Sequence, residues 1–232
     1  MQSVLITGAD RGLGLSLCKE YLARGREVFA GKYMEDYDFL ENLRHKNLHI
    51  LRLDMGCEES IAEAAEKITA LDMFISNAAL MGKVDCSLYE PPMDLEAVWR
   101  AFNVNAVGPL TLAQALAPKM RGIKRMCFVS SEVACITLMK NRYNDTFPYP
   151  MSKAAMNMAV RVLHNDLYEK GYTFRLFHPG WMKFREKDGT LAEQGKYDPD
   201  DIGKIAAAYF EEPLRDENRL VMVDYDGYEW PF

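Results

Sequence analysis

Short apolar or β-branched runs alternate with longer helical patterns along the whole of this chain, and that alternation limits the fold more than any other feature. The strand-like runs fall at residues 4–7, 27–31, 49–53, 73–76, 125–130, 173–178 and 220–223. Between them lie helical stretches at 13–23, 37–45, 60–69, 95–119, 150–170 and 200–210. Leu13, Leu17, Tyr21 and the flanking Leu22 show the spacing of one apolar helix face. A strand followed by a helix and then by another strand returns through a right-handed crossover, parallel to the first. The expectation is an α/β fold, with a doubly wound parallel sheet covered by helices on both faces. No repeat, linker or low-complexity run interrupts the 232 residues, so one domain over 1–232 is expected.

Composition narrows the function. Hydrophobic residues at 49% and charged residues at 27% fit a globular chain. The formal net charge of -6 argues against nonspecific nucleic-acid binding. The chain starts almost at once with the apolar run Val4-Leu5-Ile6, leaving no room for a signal peptide, and no apolar run is long enough to span a bilayer. Cys18, Cys57, Cys86, Cys127 and Cys135 are odd in number and lack metal or redox-pair spacing, so they read as reduced, mostly buried hydrophobes in a cytoplasmic protein. His45, His49, His164 and His178 form no metal constellation, and His178 reads as structural.

Two motifs carry chemistry. Directly after the first strand, Thr7-Gly8-Ala9-Asp10-Arg11-Gly12-Leu13-Gly14 opens a helix. Gly8 suits a tight turn, Gly12 and Gly14 suit close approach of a pyrophosphate, and the helix start favours a phosphate. The second motif is Tyr149-Pro150-Met151-Ser152-Lys153. A four-residue helical step stacks Tyr149 and Lys153 on one face. An ammonium beside a phenol of pKa about 10 favours the phenolate, which makes the pair a proton donor or acceptor near neutrality. Two irregular stretches, 132–148 and 181–198, follow strands, where ligands of open parallel sheets sit.

Taken in order, these motifs resemble the short-chain dehydrogenase/reductase family, in its carbonyl-reductase-like branch, over essentially the whole chain. The T-G-x-x-x-G-x-G turn, Ser76-Asn77-Ala78-Ala79, Asn103-Val104-Asn105, Ser130-Ser131, Tyr149-x-x-x-Lys153, Pro179-Gly180 and Tyr225-Asp226-Gly227 carry the likeness. The resemblance implies a Rossmann-type fold and a catalytic set of Asn105, Ser131, Tyr149 and Lys153. Tyr149 is the expected acid or base, and Lys153 tunes it and holds the nicotinamide ribose. Ser131, chosen over Ser130, bonds the substrate oxygen; its alternative is a strand-end cap. Asn105 fixes a water that relays protons to Lys153, or else is a buried amide bonded to backbone; Asn103 is the competing assignment. The implied cofactor contacts are Gly8, Arg11, Gly12, Leu13, Gly14, Lys32, Asp54, Asn77, Ala78, Tyr149, Lys153, Pro179, Gly180 and Met182. Asp54 takes the adenine amino group or caps a helix, and Asn77 clamps the turns.

The resemblance implies NADP (as NADPH) over NAD: Lys32 stands where enzymes preferring NAD commonly have an acid, and Arg11, in the glycine turn, where the family uses a basic residue for the 2′-phosphate, the alternative being solvated surface charge. Ala79 and Phe184 depart from the family pattern, in place of a glycine and a threonine, and Phe184 is expected to add apolar surface near the substrate. The implied function is hydride transfer between nicotinamide and a small carbonyl or alcohol, without metal, nucleic acid or membrane. The rival is a non-enzymatic NADP-binding regulatory or scaffold protein on the same fold. Leu138, Met139, Tyr143, Phe147, Trp181, Met182 and Phe184 are candidate pocket residues, and Arg142, Lys183 and Arg185 candidate partners of an acidic substrate. Apolar positions Ala154, Ala155, Met158, Ala159, Val162 and Leu163, with Leu110, Leu112, Ala113 and Leu116, suggest a homodimer or homotetramer.

Overall fold

The computed structural model describes residues 2–81, 94–138 and 147–232. Strands β1 (Ser3–Ile6), β2 (Glu27–Lys32), β3 (Leu48–Arg52), β4 (Leu71–Ser76), β5 (Met120–Val129), β6 (Thr173–His178), β7 (Met222–Asp224) and β8 (Glu229–Trp230) form one sheet. Their order is β3-β2-β1-β4-β5-β6-β7-β8. The first seven run parallel, and β8 pairs antiparallel with β7. The strand order reverses between β1 and β4, which opens a crevice beyond their carboxyl ends, the usual ligand position of such sheets.

Helices α1 (Gly12–Ala23), α2 (Phe39–Asn42), α3 (Glu58–Glu66), α4 (Leu95–Phe102), α5 (Gly108–Leu116), α6 (Pro148–Leu167) and α7 (Pro199–Glu211) flank the sheet. Alternate strand residues feed two cores. Leu5, Phe74, Phe128 and Leu176 pack with α3, α5 and α6 on one face. Val4, Ile6, Ile75 and Phe177 pack with α1 and α7 on the other. Each fully buried Leu- or Phe-sized side chain stabilises the layer by about 1.5–3 kcal/mol, which overrides local propensity along the strands.

The single helix expected over 95–119 is interrupted. Residues Asn103–Val107 widen into a π-turn, with the Gly108 amide bonding the Asn103 carbonyl five residues back. Pro109 has no amide for the ordinary bond to Asn105, and a Cβ on Gly108 would lie 2.1 Å from the Met55 carbonyl oxygen, so glycine fits where this turn passes the segment between β3 and α3. The helix expected over 37–45 is the single turn of α2, because Arg44 leaves the helical region at φ 44°. The two-residue β8 is too short for alternation to reveal.

Candidate active site

The turn after β1 is built by close packing. Gly8 has φ 62°, and a Cβ there would sit 2.7 Å from Ala78 Cα; one on Gly14 would sit 2.1 Å from the Gly8 carbonyl oxygen. Gly12 has φ 54° but open space where its Cβ would be. Arg11, at the helix N-cap, makes no side-chain capping bond, and the first turn of α1 contains no acid. The leading amides of Gly12, Leu13 and Gly14 therefore keep their donors and positive field for a ligand, and a pyrophosphate fits that turn chemically.

Neighbouring side chains lock the turn. Asn77 Nδ2 donates to the carbonyls of Thr7 (2.9 Å) and Gly8 (3.0 Å). Thr7 Oγ1 accepts from the amides of Asn77 and Ala78, both at 3.0 Å. The buried Asp10 carboxylate accepts from the Tyr33 and Met34 amides at 2.8 and 2.6 Å, tying the turn to the end of β2. The sequence points to Asn77 as the clamp but not to Thr7 and Asp10, although both lie within the glycine motif.

The two cations beyond the turn differ. Arg11 donates to the Tyr37 hydroxyl, and its guanidinium carbon lies 4.8 Å from the Tyr37 ring centroid and 3.8 Å from that of Phe184. Lys32 instead pairs with Glu41 at 2.6 Å. Lys32 thus already has a carboxylate partner. Phe184 lies against Arg11 at the glycine turn and keeps 41% of its surface exposed. Asp54 accepts from the Gly56 amide at 2.8 Å, while Cys57 holds the N-cap position of α3, so Asp54 is not that helix's cap.

At the end of β5 the Tyr-Lys motif meets the sheet. Tyr149 lies in the first turn of α6, half-buried, and Lys153 one turn later is 2% exposed. Lys153 Nζ donates to the Val129 carbonyl at 2.8 Å and stands 5.8 Å from the Tyr149 ring centroid. Burial lowers the lysine pKa from its ordinary value to about 8. Ser131 follows two residues after Val129, buried, with Oγ accepting from the Val133 amide at 3.4 Å as the N-cap of a short 3-10 turn. Ser130 turns away and donates to Asn157 Oδ1 at 2.7 Å.

Asn105 is fully buried whereas Asn103 is exposed. Its Nδ2 donates to the Leu80 carbonyl (2.7 Å) and to Ser152 Oγ (2.9 Å), and its Oδ1 accepts from the Leu80 amide (2.7 Å). Both amide atoms therefore join the residue beside Lys153 to the segment after β4. Ser152, inside the Tyr-x-x-Ser-Lys motif, was the missed partner.

Beyond β6 the chain passes Pro179 and Gly180 into a strap, residues 181–198. Gly180 has φ 73°, and a Cβ there would press within 2.9 Å of the Tyr197 and Tyr225 rings, whose hydroxyls share a 2.6 Å hydrogen bond. Met182 pairs with Tyr197 and Arg185 with Leu191, closing the strap on itself. Arg185 binds Asp200 at 2.9 Å and is largely buried, so it is an internal anchor and not a waiting partner for an acidic substrate. Lys187 reaches Asp36 at 2.7 Å. Trp181 and Leu138 are exposed, Met182 packs on the α1–α7 core, and Met139, Arg142, Tyr143 and Cys86 lie outside the described residues.

Comparison with known proteins gives this geometry its context. The family model described as short chain dehydrogenase matches residues 2–193. The C-signal protein of Myxococcus xanthus is 32% identical over 166 residues, covering 70% of this chain and 93% of its own length. An uncharacterised oxidoreductase of Saccharomyces cerevisiae is 28% identical over 98% of this chain and 96% of its own. A carbonyl reductase from Pseudomonas aeruginosa, solved in complex with NADP, superposes with a TM-score of 0.82 at 27% identity, covering 100% of both chains. The chain therefore belongs to the short-chain dehydrogenase family and is an oxidoreductase.

Proposed function

We propose that the protein is an NADPH-dependent carbonyl reductase or alcohol dehydrogenase, working as one domain in the cytoplasm, with Tyr149 as its acid or base. The observation that carries the reading is the buried Lys153 one turn behind Tyr149, at the end of β5. When bound, the nicotinamide supplies or accepts the hydride. Tyr149 gives its proton to the carbonyl oxygen in reduction and takes it back in oxidation. Lys153, charged below about pH 8, stabilises the phenolate side of that exchange. Ser131 offers its hydroxyl to the developing alkoxide. Asn105 holds Ser152 and Leu80, and so fixes the backbone around Lys153; its committed amide atoms favour a positioning role over the holding of a water by its side chain.

The cofactor preference is supported by Arg11, which faces no described carboxylate within ion-pair distance, and by the NADP complex of the P. aeruginosa carbonyl reductase. Free thiols buried at Cys18, Cys127 and Cys135 support a reducing compartment. No helix among the described residues is long and apolar enough to cross a membrane.

The test is Tyr149→Phe, assayed by NADPH consumption against a panel of carbonyls. Turnover is expected to fall at least about a thousandfold, within the range of acid–base catalysis, while NADPH binding persists. Near-normal turnover at saturating cofactor rejects the mechanism. A second reading, a regulatory protein on the same fold, draws on the name of the M. xanthus C-signal. Under it, NADPH binds but no carbonyl is reduced.

A further inference from the structure

The strap after β6 reaches the glycine turn after β1 through the Phe184 ring, which lies against the Arg11 guanidinium. That contact divides the work of the guanidinium. Its face lies by a ring, while its edge carries five N–H donors, one of which serves the Tyr37 hydroxyl. The edge can therefore hold a phosphate while the face keeps Phe184. The other tie at the strap's tip, Lys187–Asp36, joins two well-exposed side chains and adds little in water. The base of the strap is firm by contrast, through Arg185–Asp200 and the bridge from Met182 to Tyr197. Of these described ties, the Phe184–Arg11 contact is the one through which a group held by Arg11 can act on the outer strap.

Resting on the NADPH reading above, we propose that Phe184 couples closure of the strap to the group held by Arg11. A 2′-phosphate adds a charged partner to a guanidinium already placed by Tyr37 and Phe184. The ring then meets a more firmly held cation, and the ordering cost is shared between the two contacts. A cofactor without that phosphate leaves Arg11 with Tyr37 and Phe184 alone, and the strap less firmly docked. The phosphate is then recognised twice, by a charge-assisted bond and by a firmer cover on the crevice. A threonine at position 184 has no ring to stack, so this chain's departure from the family pattern is what creates the link.

The test is backbone hydrogen exchange over residues 183–197, with saturating NADP or NAD, in the wild type, Phe184→Leu and Phe184→Tyr. In the wild type NADP is expected to slow exchange about threefold or more beyond NAD, the scale of an exposed cation–ring contact. Phe184→Leu should erase the difference while still binding NADP, and Phe184→Tyr should restore it. Equal protection by NADP and NAD in the wild type overturns the coupling, as does a difference that survives in Phe184→Leu. If titration shows the wild type binding NAD as tightly as NADP, or neither, the cofactor reading falls first and takes this inference with it.

Discussion

Lys153 sets the chemistry at the scale of one residue. Its folded pKa of about 8 lies below the unfolded lysine value of about 10.4, so between those values the unfolded chain binds more protons. The native state is therefore penalised below pH 8, and the penalty fades as pH rises through the window, by up to about 1.4 kcal/mol per unit. Lys153→Met removes the titration. In urea unfolding at pH 7 and pH 9.5, the variant should gain most over wild type at pH 7, by roughly 1–3 kcal/mol, and the gap should shrink at pH 9.5. A constant gap shows that the lysine is not held against its charge. The cations at the adenosine end separate in the same way. Arg11→Leu should weaken NADPH about tenfold or more relative to NADH, the worth of one charge-assisted bond, whereas Lys32→Leu should cost less because Glu41 already compensates it. Calorimetric titration with both cofactors reads the two effects. If the larger loss follows Lys32, the assignment to Arg11 is reversed.

Among the elements, the turn between β1 and α1 shows how far a sequence can be read. Its glycines were legible because only glycine tolerates the positive φ and close approach, but their roles differ in space. Gly8→Ala should cost about 2–4 kcal/mol in stability, from left-handed strain and a collision with the Ala78 backbone. Gly12→Ala should cost only about 1 kcal/mol, yet weaken NADP sharply where the pyrophosphate lies against the turn. Urea unfolding paired with cofactor titration checks both, and unchanged NADP affinity in Gly12→Ala removes the turn from the cofactor site. The strands and most helices were readable because apolar periodicity reports burial directly. The π-turn was not, since it answers to the Met55 carbonyl on a distant segment. For the same reason Lys32 and Arg185 read as free cations: no local spacing announces Glu41 across a loop or Asp200 beyond the strap. Phe184 stands out as a departure from the family pattern, but its partner lies 173 positions earlier in the chain.

On the scale of the molecule, the apolar stripe divides between core and surface. Leu112, Ala113 and Leu116 are buried within the chain, whereas Met158 (64% exposed), Val162 (60%), Val107 and Leu110 face outward on α5, α6 and the π-turn before α5. We expect two copies to bury this ridge across a two-fold axis, pairing the helices that carry Tyr149. Met158→Glu with Val162→Glu should then shift sedimentation from dimer or tetramer to monomer, with the fold retained. A wild type that sediments as a fully active monomer rejects the assembly.

The rims of the sheet bear on association in another way. An unpaired strand edge is a template for further strands, and hence for aggregation. At one rim, β3 carries the polar side chains of His49 and Arg52, with His49 engaged by Glu27. At the other, β8 is two residues long, runs against its neighbour and is followed by Pro231, which has no amide to donate. Among the described residues neither rim presents a long, bare apolar strand to a neighbouring molecule, which disfavours edge-to-edge growth into fibres.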